Sequence, residues 1–129
     1  MPNLTASVTL LSALFCLSTS LMVARARFKF NIKAPATSGH PEFERAFRVQ
    51  MNTLEWMPIF LPSLWLAAFY VSDLAAAALG LLWLMGRIIY AREYLIAAER
   101  RAMGFGLQAS AASLLWIAAL VGLVRMMLR

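Results

Sequence analysis

Two stretches without a charged side chain, Leu4 to Ala24 and Ala102 to Val124, constrain this chain most. They run for 21 and 23 residues. About 20 apolar residues are enough for a helix to cross the hydrocarbon of a bilayer. Inside that layer each backbone N–H and C=O must be bonded within the protein, and a helix does this alone. The rest of the composition agrees. Of 129 residues 62% are hydrophobic and 14% charged, and the mean hydropathy is +0.72. That is too little charge to coat a soluble globule, where about 25% is usual.

Between these runs lie two shorter ones, Trp56 to Ser72 with 17 residues and Leu74 to Gly86 with 13. Neither crosses comfortably alone. Each crosses if its helix continues into a polar flank, one back toward Glu42 and the other on toward Arg101. The reading is an all-α integral membrane four-helix bundle forming a single domain over 1–129. Its helices cover about 4–25, 42–72, 74–101 and 102–126, and the polar ends of helices two and three lie on one side. Pro41 with Glu42 and Glu44 reads as a helix start. Asn31 to Pro41 reads as a loop, and Ser72-Asp73 as a tight turn. Pro58 and Pro62 fall inside helix two and should bend it.

Ten of the twelve basic residues lie between Arg25 and Arg48 or between Arg87 and Arg101. The positive-inside rule places these two regions in the cytoplasm. The short termini point to a bacterial protein, hence to the inner membrane. The net charge of +6 attracts membrane lipids with anionic headgroups or anionic substrates. It does not point to nucleic acid, because the basic residues flank membrane spans. No basic residue precedes the first apolar run, so it reads as a retained helix and not a cleaved leader. One cysteine, Cys16, and one histidine, His40, make neither a disulfide nor a metal site.

The polar flanks carry the chemistry. Arg45, Arg48, Asn52 and Glu55 are spaced three, four and three apart and line one helical face. Arg87, Tyr90, Tyr94 and Arg101 are spaced three, four and seven and share a face of helix three. Arg100 is turned about 100° away from that stripe. Arginines surplus to the acids, with amides and hydroxyls beside them, suit a small anion with several carboxylate and amide groups. Gln50 lies about 200° around the helix from Arg48, so it faces a neighbouring subunit. The alternative is that these groups form interfacial ion pairs and an aromatic belt.

The run PEFERAFRVQMNTLEWMP, Pro41 to Pro58, and the run GRIIYAREYLIAAERR, Gly86 to Arg101, resemble the MAPEG family. These are membrane-associated proteins of eicosanoid and glutathione metabolism, and the resemblance extends from Arg27 into helix four. It implies a homotrimer binding glutathione as co-substrate between subunits on the cytosolic side. It also implies transfer of the thiolate to hydrophobic electrophiles or lipid substrates, with peroxidase activity toward lipid hydroperoxides as a further capacity. The glutathione-binding positions it implies are Arg48, Asn52, Glu55, Tyr90, Tyr94 and Arg101, with Arg27 and Gln50 supplied by the adjacent subunit. Arg101 matches the arginine that stabilises the thiolate, the catalytic position. Trp56, Glu93 and Ser113 depart from the leukotriene-synthase-like pattern, which leaves the glutathione contacts but not a specific eicosanoid. Two other readings remain open: a non-catalytic lipid-binding member of the family, and a small four-helix drug exporter. The exporter reading is weakened because helix one lacks the acid such proteins carry.

Overall fold

The computed structural model describes all 129 residues. It consists of α1 (Asn3–Phe30), α2 (Pro41–Tyr70), α3 (Asp73–Ile96) and α4 (Ala102–Met127), with one 3-10 turn at Ala98–Arg101. Two contacts fix the antiparallel up-and-down order. The Asp73 carboxylate accepts from the backbone N–H of Leu4 and Thr5 at 3.0 and 2.8 Å, tying the start of α3 to the start of α1. At the other end Arg45 Nε donates to the Leu95 carbonyl at 3.1 Å, tying the start of α2 to the end of α3.

Three helical stretches are long and apolar enough to cross a membrane by themselves: Asn3–Phe30, Asp73–Ile96 and Ala98–Met127. α2 does not meet that standard, because its first half is polar. It nevertheless runs from the end of α1 to the start of α3 and is about 45 Å long at ~1.5 Å per residue, so it crosses with them. Neither Pro58 nor Pro62 interrupts it. In the core Phe60 of α2 stacks on Trp83 of α3, with centroids 3.8 Å apart and planes 6° from parallel. Leu64 and Leu115 close the same layer, both fully buried.

α3 and α4 touch through two glycines. A Cβ on Gly104 would lie 2.3 Å from the Tyr90 nitrogen, and one on Gly86 would lie 2.6 Å from the Gln108 nitrogen. Small residues let membrane helices pack backbone to backbone, where dispersion replaces the missing hydrophobic drive. Gly104→Ala is therefore expected to separate the helices and cost about 1–3 kcal/mol, the usual range for overpacking. A melt in dodecyl maltoside unchanged from wild type would contradict the tight crossing.

Two helix ends differ from the sequence reading. α1 continues to Phe30, five residues beyond the predicted end at 25, and ends on Asn31 in the left-handed region at φ 53°. Charge marks the edge of the hydrocarbon, but arginine and lysine are good helix formers and carry the helix past it. α3 stops at Ile96 and does not reach Arg101. Ala97 is extended (φ −157°, ψ 129°) and the 3-10 turn follows. No glycine or proline marks that break. It is imposed by packing, since α4 must reverse at once to bring Gly104 against Tyr90.

The loop between α1 and α2 is also held from both sides. His40 caps α2, its Nδ1 accepting from the Glu42 N–H at 3.2 Å, and its ring stacks 3.6 Å from Phe30. Lys29 bonds Glu42 at 3.0 Å, and this hydrogen bond and charge hold the Glu42 carboxyl below its ordinary range.

Candidate functional site

The polar stripe of α2 forms a connected chain of bonds. Arg48 donates to Glu55 Oε1 at 3.0 Å, and Asn52 Nδ2 donates to Glu55 Oε2 at 3.2 Å. The amide oxygen of Asn52 accepts from Arg87 of α3 at 2.7 Å. The other terminal nitrogen of Arg87 donates to Thr53 Oγ1, also at 2.7 Å. Helical spacing explains the geometry. Residues 48, 52 and 55 stack on one face of α2, and 52 and 53 straddle the line of contact with α3.

Burial grades sharply along this chain. Arg48 and Glu55 keep about half of their side-chain surface open, at 51% and 52%. Asn52 is 7% exposed and Arg87 is fully buried. The outer pair can therefore exchange partners with a ligand, whereas the inner pair cannot. An exposed ion pair such as Arg48–Glu55 contributes ~0–1 kcal/mol, so little is lost when a ligand replaces it. Arg87 is the fixed brace. It orients the Asn52 amide so that the N–H₂ end faces Glu55.

The tyrosines extend the site toward the loop end of α3. The Arg87 guanidinium lies 4.4 Å over the Tyr90 ring, and Tyr90 packs 5.4 Å from Tyr94. Tyr90 is buried, while Tyr94 borders a cleft of about 510 Å³ shared with Arg48 and Arg45. Phe105 of α4 closes the back, 6.4 Å from Tyr90 and edge-on to Trp56 at 5.7 Å.

Of the predicted site residues, Arg48, Asn52, Glu55, Tyr90 and Tyr94 are brought to one end of the bundle. Three stand apart. Arg27 donates to the Ala36 carbonyl at 2.7 Å and lies over the Phe43 ring. Gln50 points away from Arg48, as the helical wheel requires, yet its amide donates to Ser20 Oγ on α1 of its own chain at 2.9 Å. The bond has a simple cause: α1 packs on the face of α2 opposite the polar stripe. Arg101 lies on the 3-10 turn and not on the α3 face, with its guanidinium on the Ala98 carbonyl at 3.1 Å. It remains close in height to the site, because Gly104 touches Tyr90 and Arg101 sits one turn nearer the loop, level with Tyr94.

Arg87 and Thr53 are the members whose part the sequence does not reveal. Arg87 reads there as one more pocket-lining arginine. Its position inside the apolar run LLWLMGRIIY, opposite the polar pair Asn52-Thr53, is the signal of a buried brace.

A profile of the MAPEG family matches residues 5–121. An uncharacterised protein of Synechocystis sp., sll1147, is 44% identical over 92% of this chain and 87% of its own length. Human microsomal glutathione S-transferase 2 is 40% identical over 93% of this chain and 82% of its own. Bovine leukotriene C4 synthase is 41% identical, covering 94% and 81%. With the profile spanning nearly the whole four-helix bundle, the chain belongs to the MAPEG family.

Proposed function

We propose that this protein is a membrane-bound glutathione transferase. It joins the glutathione sulfur to a hydrophobic electrophile dissolved in the bilayer. The thiol proton is lost, the S–C bond forms, and the leaving group departs with the bonding pair. With a lipid hydroperoxide as acceptor, two glutathiones would give the alcohol, water and the disulfide.

The observation that carries this reading is the half-open Arg48–Glu55 pair resting on the buried Asn52–Arg87 brace. Glutathione offers two carboxylates, an ammonium and two amides. Arg48 suits a carboxylate, Glu55 the ammonium and Tyr94 an amide, while Asn52, held from behind by Arg87, fixes the Glu55 carboxylate. Similarity to a transferase and a synthase over four-fifths of their lengths supports the same chemistry. An apolar groove of about 380 Å³ between α2 and α4, starting at Pro58 one turn from Glu55, offers an acceptor a route from the lipid.

Further parts of the proposal rest on the family pattern. The working unit is a homotrimer, in which Arg27 and Gln50 of one subunit exchange their present partners for glutathione held by the next. The site faces the cytoplasm of a bacterial inner membrane, in keeping with the one-sided placement of basic residues.

Conjugation of glutathione to a chromogenic halonitrobenzene by purified protein tests the activity directly. Arg48→Ala is expected to raise the KM for glutathione about tenfold or more, the loss of a charge-assisted bond, with a smaller change in kcat. Direct glutathione titration separates the non-catalytic alternative. A lipid carrier of this fold would bind no glutathione, and that result would overturn the proposal.

A further inference from the structure

Another groove also borders Arg45, apart from the cleft at Tyr94 and Arg48. It encloses about 390 Å³ where the end of α1 meets the start of α2 and the end of α3. Met22, Ala26 and Leu95 form an apolar floor. Arg25, Lys29 and Arg45 stand around the rim with a single acid, Glu42.

The charges are unbalanced in a specific way. Lys29 and Glu42 neutralise each other at 3.0 Å. The chain's other ion pair, Arg48–Glu55, lies elsewhere. Arg25 has no carboxylate partner. Arg45 spends only its Nε on the Leu95 carbonyl, which leaves both terminal nitrogens free to bind an anion. The groove therefore carries two unpaired guanidiniums above an apolar floor.

Depth identifies what would match. The uncharged run of α1 ends at Ala24, so Arg25 stands at the edge of the hydrocarbon and Met22 one turn inside it. A membrane phospholipid places its phosphate at the first level and its acyl chains at the second. We propose that this groove is a binding site for an anionic glycerophospholipid. The phosphate would lie between Arg25 and Arg45, with Ala26 and Leu95 beneath it at the same level and an acyl chain descending past Met22. A zwitterionic lipid fits less well, because the only acid that could receive its ammonium, Glu42, is already held by Lys29.

The test is native mass spectrometry of the purified full-length protein in micelles with equal phosphatidylglycerol and phosphatidylcholine. Phosphatidylglycerol adducts are expected to exceed phosphatidylcholine adducts about tenfold, as two interfacial arginines permit. The double variant R25Q/R45Q should bring the two lipids to parity. Lys33→Gln with Arg92→Gln removes two charges outside the groove and should leave the preference intact. Equal binding of the two lipids by wild type would overturn the site. So would a preference that survives R25Q/R45Q, or one that falls as far in the control variant, which would mean diffuse surface attraction. Displacement of the lipid by inorganic phosphate at matched concentration would show an anion site without lipid recognition and would also overturn it. A thermal melt of each variant verifies folding.

Discussion

Replacing Asn52 by leucine is expected to destabilise the bundle by about 3 kcal/mol, more than replacing its bonded partner Arg87 by methionine. The order follows from what each change leaves behind. Arg87 is fully buried and gives its two terminal nitrogens to Asn52 and Thr53 at 2.7 Å. Its Nε has no partner. Leucine at 52 strands a permanently charged group in the helix interface with one neutral acceptor. Methionine at 87 removes the charge with it and leaves two neutral acceptors short of a donor, a loss of about 1–2 kcal/mol. Thr53 still donates to the Val49 carbonyl at 2.8 Å, which limits the damage.

The double variant Asn52→Leu with Arg87→Met should recover to within about 1 kcal/mol of wild type, since buried polar pairs are often replaced by apolar ones without loss. It should not recover glutathione binding, because Glu55 then lacks the Asn52 donor. Unfolding in dodecyl maltoside gives the stability cycle and glutathione titration the affinity. Additive losses in the cycle would contradict the brace, and wild-type affinity in the double variant would contradict its link to the site.

The same brace shows what was legible beforehand. The four helices could be read from runs of uncharged residues, because hydrocarbon demands them. The face holding Arg48, Asn52 and Glu55 could be read from spacing, because an uninterrupted helix keeps its period. Arg101 could not be placed that way. The Arg87-to-Arg101 spacing assumes one continuous helix, and the chain breaks at Ala97 although alanine favours helix. The break answers to the Gly104–Tyr90 contact between two helices, and a local pattern does not contain that contact. Gln50 meets a related limit. The wheel says which way a side chain does not point, but not which helix of which subunit lies opposite.

Arg101 is also where the largest catalytic effect is expected. Arg101→Ala should lower kcat by about 10²–10³-fold, the usual loss when a group that stabilises developing or fixed negative charge is removed. Glutathione affinity should change only a few-fold, since Arg48, Asn52 and Glu55 remain. In the free chain its guanidinium holds nothing but the Ala98 carbonyl, a bond easily exchanged for a thiolate at the level of Tyr94. The pH dependence separates charge from positioning. A nearby cation favours the anion and so lowers the thiol pKa from its free value of about 8.5. Without Arg101 the thiol ionises nearer that value, and the rate deficit should shrink as pH rises through it. Arg101→Lys, which keeps a positive charge but not the planar fork, should restore part of the rate at neutral pH. A deficit constant with pH would mean that Arg101 only positions the turn between α3 and α4, and an unchanged kcat in Arg101→Ala would remove it from the chemistry.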